Sequence, residues 1–282
     1  MPGTLYLCAT PIGNLGDITL RCLETLRSAD LIAAEDTRNT LRLLNHFEIK
    51  KPLTSYHEYN KVEKARVLVD KLRGGVNIAL VTDAGTPGIS DPGEELVRQC
   101  REAEIPVTSV PGPAACISAL VISGLPTRRF AFEAFLPEDK KERARILEEL
   151  SRETRTMVIY EAPHNLIRTL HELADLLGDR DCAVCRELTK IHETVFRTTL
   201  PEAAAYYDEH APKGECVIVI RGKDPEEIRR EREKAWETMS IPDHVNYYLD
   251  QGKNKKEAMK LAAKDRGISR REVYAALLAE EE

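Results

Sequence analysis

The 282-residue sequence predicts an α/β protein with a mostly parallel sheet, a second mixed sheet and a small helical tail. Three observations carry this. Short apolar runs alternate with helix-period segments in the first part of the chain, the signature of parallel α/β units. The pattern resets near Gly124-Leu-Pro126, after which candidate strands come in adjacent pairs. From Lys223 to Lys234 the chain becomes highly charged, and three short helical patterns follow.

Taken in order, strands are expected at Leu5–Thr10, Leu31–Ala34, Ile78–Thr82 and Pro106–Val110. Helices are expected at Thr19–Ser28, Thr37–His46, Lys61–Arg73 and Pro92–Ala103. After the reset come strand Phe130–Phe135, helix Glu138–Arg152, strand Thr156–Tyr160 and helix His164–Leu177. Strands Cys182–Glu187 and Glu193–Thr199, helix Pro201–Glu209 and strand Glu215–Arg221 complete this set. The tail reads as helices Pro242–Asp250, Lys255–Lys264 and Arg270–Leu278, broken at Gly252 and Gly267. Ser269 suits the N-cap of the last. Two helices across a short glycine turn resemble a helix-turn-helix. The resulting division is 1–123, 124–222 and 223–282, in line with roughly 100–200 residues per domain for the bulk of the chain.

Composition is that of a soluble globular protein, 42% apolar and 31% charged, with net charge −6. The charge is uneven: Lys253 to Arg271 holds eight Lys/Arg against Glu257 and Asp265, so this segment is +6 and the rest −12. A basic end suggests docking to an anion such as nucleic acid; a solvated basic face is the alternative. Seven scattered cysteines argue for a reducing, cytoplasmic setting rather than a disulfide framework. Cys182-Ala-Val-Cys185 lacks partners for a zinc site, and no metal is expected. The longest uncharged span, Ile105 to Thr127, is interrupted by Pro106, Pro111, Pro113 and Pro126. It reads as buried strand, turn and helix, and no membrane association is expected.

The chemistry concentrates in turns that follow strands. Val81–Gly93 packs three glycines and two prolines into a strand-to-helix junction, where about 2–6 residues normally suffice. Thr10–Gly16 and Val110–Ala115 are similar. Turns of this kind let backbone approach a ligand, and the carboxyl edge of a parallel sheet is where ligands bind. Neither GxGxxG nor GxxxxGK[ST] is present, which argues against a dinucleotide dehydrogenase or a P-loop NTPase. Pro113-Ala-Ala115 opens a helix whose first amides could receive an oxygen.

Six co-linear segments resemble one family. They are Ala9-Thr-Pro-Ile-Gly-Asn-Leu-Gly-Asp17, Ala34-Glu-Asp-Thr-Arg38, Asp83–Gly93, Val110-Pro-Gly-Pro-Ala114, Tyr160-Glu-Ala-Pro-His164 and Cys185-Arg-Glu-Leu-Thr-Lys190. In order, over about residues 3–222, they resemble the 16S ribosomal RNA cytidine 2′-O-methyltransferases of the tetrapyrrole methylase superfamily. One departure is Tyr59, where a second histidine is expected. The resemblance implies two α/β domains with S-adenosylmethionine in the cleft between them, a homodimer, and 16S rRNA within the small ribosomal subunit as partner. It implies donor contacts from Pro11, Ile12, Gly85, Thr86, Pro87, Ile89, Ala114, Ala115, Tyr160, Glu161 and Ala162. The superfamily's acidic residue near Gly85 is absent, so backbone or Asp83 takes its place.

On the acceptor side the candidates are Glu35, Asp36, Arg38 and Glu187. Charged Glu-Asp-Thr-Arg directly after an apolar strand faces the crevice; Asp36 equally suits the cap of the following helix. A carboxylate base would contribute about 10²–10⁴-fold, and alignment of hydroxyl, methyl and sulfur roughly 7–11 kcal/mol at best. Two alternatives share parts of this pattern. One is a methyltransferase acting on a small tetrapyrrole such as a precorrin or uroporphyrinogen. The other is an RNA-binding scaffold without catalysis.

Overall fold

A computed structural model describes residues 1–281. The chain forms two compact units, Met1–Arg221 and the remainder from Gly222.

The first unit opens with strand β1 (Leu5–Cys8), helix α1 (Leu20–Ser28), β2 (Leu31–Ala34), α2 (Thr37–His46) and β3 (Leu53–Ser55). Then follow α3 (Lys61–Arg73), β4 (Ile78–Val81), α4 (Gly93–Glu102), β5 (Val107–Val110) and α5 (Ala115–Ser123). The five strands make one sheet in the order β3-β2-β4-β1-β5, all parallel. Residues alternate between its two faces. Ile78 and Leu80 of β4 pack with Leu68 and Leu72 of α3 and Leu96 of α4. Ala79 and Val81 pack with Cys22 and Leu26 of α1 and Leu44 of α2. Both faces being covered explains why the central strands β2 and β4 are apolar throughout, whereas the edge strands β3 and β5 carry Thr and Ser. Strand β3 was not expected; its three residues LTS carry too short a pattern to register.

The second half contains β6 (Phe130–Phe135), α6 (Lys140–Ser151), β7 (Thr156–Glu161), α7 (Pro163–Leu177) and β8 (Asp181–Arg186). It ends with β9 (Thr194–Thr199), α8 (Leu200–Glu209) and β10 (Cys216–Ile220). Its sheet runs β6-β7-β10-β8-β9. Only β6 and β7 are parallel; the other pairs are antiparallel. Met157, Ile159, Val184 and Ile218 bury one face against α6, α7 and α8. The opposite face, with Val158, Ala183, Cys185 and Val217, receives Cys116, Ala119 and Leu120 of α5 together with Ile12. Helix α5 therefore leaves the first sheet and closes the second. Cys182 and Cys185, three apart on a strand, point to opposite faces, so this CxxC cannot converge on one ion.

The second unit holds α9 (Pro225–Thr238), α10 (Ile241–Asp250), α11 (Lys255–Arg266) and α12 (Arg270–Glu281). Helix α9 replaces the charged connection expected from sequence. Val245, Ala258, Ala262, Ala263 and Val273 form a small core. His244 is fully buried, stacked on Trp236 with ring centroids 3.8 Å apart; Arg266 Nε donates to its Nδ1 at 3.0 Å. Gly267, at φ 64°, ends α11, and Ser269 with Glu272 caps α12 reciprocally. Lys255, Lys256, Arg270 and Arg271 are exposed. Among the described residues no helix is long and apolar enough to cross a membrane.

Candidate functional site

Because the first sheet is parallel, the segments following β1, β2, β4 and β5 gather at one edge. Together with the end of β7 and the start of β10 they enclose a cavity of about 410 Å³. That is within the range of small-ligand sites, roughly 300–1,000 Å³.

The segment between β4 and α4 has its own internal scaffold. Asp91 accepts hydrogen bonds from the amides of Gly88, Ile89 and Gly93, at 2.8–3.2 Å. At its start, Gly85 and Thr10 exchange both backbone hydrogen bonds, at 2.9 and 3.0 Å. Gly85 sits at φ 82°, a conformation that disfavours side chains. Thr86 Oγ1 donates to Pro113 O at 3.0 Å, tying this segment to the one after β5. At its far end the buried Tyr56 hydroxyl donates to Pro92 O at 2.8 Å. Burial pushes the Tyr56 phenol well above its usual pKa, which keeps it a donor.

Most of the expected donor residues line this cavity: Ile12, Asp83, Gly85, Thr86, Ile89, Ala114, Ala115, Tyr160, Glu161 and Ala162. Pro87 is buried and does not line it. Pro11 lines a neighbouring cavity instead. The wall also includes residues not anticipated, among them Thr82, Ser90, Asp91, Cys116, Phe135 and Glu215. Asp91 had a legible signal: an Asp two residues before a glycine in a glycine-rich turn accepts local amides.

Tyr160 shapes the floor. Its hydroxyl accepts from the Cys116 amide at 3.0 Å, so one of the first amides of α5 is taken by protein. Phe132 and Phe135 pack edge-on against its ring, at 4.9 and 5.6 Å. Glu161 is buried with both oxygens engaged. One accepts from the Ala162 amide at 2.9 Å and the other from Thr169 Oγ1 at 2.5 Å. Arg143, also buried, donates to Thr169 at 2.7 Å and to Glu172 at 2.7 Å.

On the acceptor side only Glu35 reaches the cavity. Its carboxylate accepts from Thr82 Oγ1 at 2.7 Å. Asp36 turns away: it accepts the Arg38 amide at 2.7 Å and caps α2. The Arg38 guanidinium also bonds it, at 3.2 and 2.9 Å. This pairing holds the Asp36 carboxyl down to about 2. Arg38 points into solvent. Glu187 is outside the cavity, accepting from Lys190 Nζ at 2.9 Å and the Glu215 amide at 3.1 Å. Hydrogen bonding to Lys190 lowers its pKa. Lys190 also reaches Glu215 on the cavity wall, at 3.1 Å, so Glu187 stands one ion pair removed.

Glu35, Asp83 and Asp91 share the same rim. Desolvation, and next the Glu35 carboxylate, raise the pKa of Asp83, whose Oδ1 accepts from the Asp36 amide at 3.2 Å. Desolvation also raises that of Asp91, against the opposing pull of its three amide donors. A cavity with an apolar floor, backbone walls and a carboxylate rim suits a ligand that is part adenine-like and part cationic. Among the described residues no group of three or more His, Cys, Asp and Glu could hold a metal ion.

Fold and site together define a two-sheet α/β protein with a small-molecule crevice between its sheets. The tetrapyrrole (corrin/porphyrin) methylase family matches residues 4–204. Ribosomal RNA small subunit methyltransferase I of Synechocystis sp. is 48% identical over 273 residues, 96% of each chain. That of Bacillus subtilis is 46% identical over 96% of this chain and 93% of its own. The Thermotoga maritima enzyme of the same name is 46% identical over 79% of this chain and 100% of its own. Among solved structures, uroporphyrin-III C-methyltransferase of Thermus thermophilus aligns with TM-score 0.56 at 22% identity, covering 77% of this chain and 94% of its own. A diphthine synthase aligns with TM-score 0.61 at 14% identity, covering 78% and 90%. These two establish the fold alone. The chain belongs to the tetrapyrrole methylase family and, within it, to the ribosomal RNA small subunit methyltransferase I group. It is a methyltransferase.

Proposed function

We propose that the protein transfers a methyl group from S-adenosylmethionine to the 2′-hydroxyl of a cytidine ribose in 16S rRNA of the small ribosomal subunit. The observation that carries this is the crevice itself, in a chain 46–48% identical to relatives named for rRNA small subunit methylation. The cavity fits the donor: apolar and backbone surfaces flank an adenosine, and a carboxylate rim complements its cationic end.

S-adenosylmethionine supplies an electrophilic methyl group on a sulfonium. Ile12, Gly85, Thr86, Ile89, Ala114, Ala115, Tyr160, Glu161 and Ala162 would hold and orient it, with Pro87 buried in the same segment and Pro11 on the neighbouring cavity. Asp83 lies where donor and acceptor meet. The 2′-oxygen must approach in line with the departing sulfur, and its proton must leave. Glu35, fixed by Thr82, orients the hydroxyl, and either Glu35 or Asp83 takes the proton. Asp36 and Arg38 stiffen the start of α2, and Glu187 acts through Lys190 and Glu215. Positioning outweighs the base in this scheme.

A homodimer in the cytoplasm completes the reading. Its support is α5, which buries Cys116, Ala119 and Leu120 while Ile117 and Val121 face outward uncovered; a helix apolar on both faces is suited to burial on both. The test is to incubate small ribosomal subunits with the protein and labelled donor and to map methylated ribose in 16S rRNA by mass. Label on a cytidine 2′-oxygen is expected; donor binding without any RNA labelling would sink the proposal.

A further inference from the structure

We propose that a second cavity, between the turn after β1 and helix α2, is the subsite for a ribonucleotide of the acceptor strand, with Arg42 and His46 holding its phosphate. This deepens the rRNA reading and rests on it. The cavity encloses about 380 Å³. It shares Thr82 and Asp83 with the donor cavity. A nucleotide seated here presents its ribose to the donor across that common wall.

The charges of α2 fit an anion. Between Thr37 and His46 the helix contains no acidic residue. Arg38 is occupied by Asp36. Arg42, one turn further on, makes no hydrogen bond or ion pair with any described residue. Residues four apart share a helix face, which sets Arg42 and His46 side by side on the cavity's rim. A planar guanidinium matches the paired oxygens of a phosphate. Leu15 and Leu43 add apolar surface against which a base can lie.

The same charges fix the orientation. Asp83 lies at one end, with Glu35 beyond it on the wall of the donor cavity, and repels a phosphate, whereas Arg42 and His46 lie on the α2 side. The phosphate is therefore drawn toward α2, and the ribose is left beside Thr82 and Asp83. The sugar thus meets the donor wall without any base-specific recognition being needed.

The test measures binding of cytidine 5′-monophosphate to the full chain by titration calorimetry, in wild type, Arg42→Ala, Arg42→Lys and His46→Ala. Both side chains are exposed, and S-adenosylmethionine affinity serves as the check on folding. The wild type is expected to bind the nucleotide. Arg42→Ala should bind it at least about 10-fold more weakly, as loss of one charge-assisted hydrogen bond produces, and His46→Ala at least about 2-fold more weakly, as loss of an ordinary hydrogen bond produces. Arg42→Lys should fall between, and donor affinity should not change. No binding by the wild type, or equal affinity in the alanine variants, overturns the subsite. Methyl transfer to small ribosomal subunits by the wild type is read separately. Its absence sinks the rRNA reading, whereas normal transfer with unaltered nucleotide affinity in the variants sinks only the subsite.

Discussion

At the residue scale the carboxylates divide into those that build and those that face the chemistry. Asp91 and Glu161 spend their oxygens on backbone amides and a buried hydroxyl. Glu35 and Asp83 keep capacity directed at the cavity. Replacing Asp91 by Ala removes the acceptor for three amides; we expect donor affinity to fall at least about 10-fold, measured by calorimetry, with helix content unchanged. Replacing Glu35 by Gln or Asp83 by Asn should leave donor affinity near wild type. Whichever of the two takes the proton should lose about 10²–10⁴-fold in single-turnover methyl transfer. The acid limb carries a further signature. Only the deprotonated form of Asp83 can accept a proton, and its pKa is raised above 3.8. With Asp83 as the base, activity should therefore fail at a higher pH than an ordinary aspartate would dictate as pH drops. If Asp83 is the base, Asp83→Asn abolishes that limb in a pH–rate profile; an unchanged limb assigns the proton to another group. The Glu-Asp-Thr-Arg motif placed charge directly after β2. What was not readable is that its first member alone enters the cavity, because Asp36 competes for the cap of α2.

At the element scale the long segment between β4 and α4 owes its shape to partners far along the chain. Its glycines and prolines were visible in the sequence, and so was its place at a strand's carboxyl end. Its anchors were not: Tyr56 arrives from beyond β3, and Pro113 from beyond β5. At Gly85 the constraint is backbone conformation rather than space. An added Cβ there would sit 3.4 Å from Ile12 Cγ2, on a residue at φ 82°. Gly85→Ala should therefore cost about 1–2 kcal/mol from the left-handed backbone alone, read as a lower urea midpoint with an unchanged slope. The short β3 and the charged α9 escaped the sequence pattern for opposite reasons. One is three residues long; the other has so few apolar residues that its helical period is faint.

At the scale of the whole molecule, we propose that catalysis belongs to the first unit. The Thermotoga maritima relative matches over its entire length while leaving unmatched a stretch of this chain close in size to the second unit. We propose that residues 223–282 add affinity for the ribosomal subunit and nothing to the chemistry. A chain ending at Arg221 is then expected to bind S-adenosylmethionine normally and to keep its single-turnover rate at saturating subunit concentration. Its binding to subunits should weaken, with a shallower dependence on salt, because each phosphate no longer neutralised takes about one unit off the slope. Equal subunit affinity at every salt concentration would assign RNA binding to the first unit alone. The two-sheet order was legible in the alternation of apolar runs and in the reset at Gly124. The sharing of α5 between the halves was not, since an apolar helix does not announce which sheet it will cover.

That sharing has a consequence for turnover. A helix that follows β5 yet closes the second sheet, with its Cys116 amide bonded to Tyr160, rivets the halves together directly beside the crevice. Hinged opening would have to strip Ala119 and Leu120 from their packing, so exchange of spent donor for fresh has to proceed without it. The 83–93 segment, by contrast, is held to its surroundings by individual hydrogen bonds, of Gly85 with Thr10, Thr86 with Pro113 and Tyr56 with Pro92. Those bonds, rather than any swing of one half against the other, are then expected to set how fast the enzyme can reload.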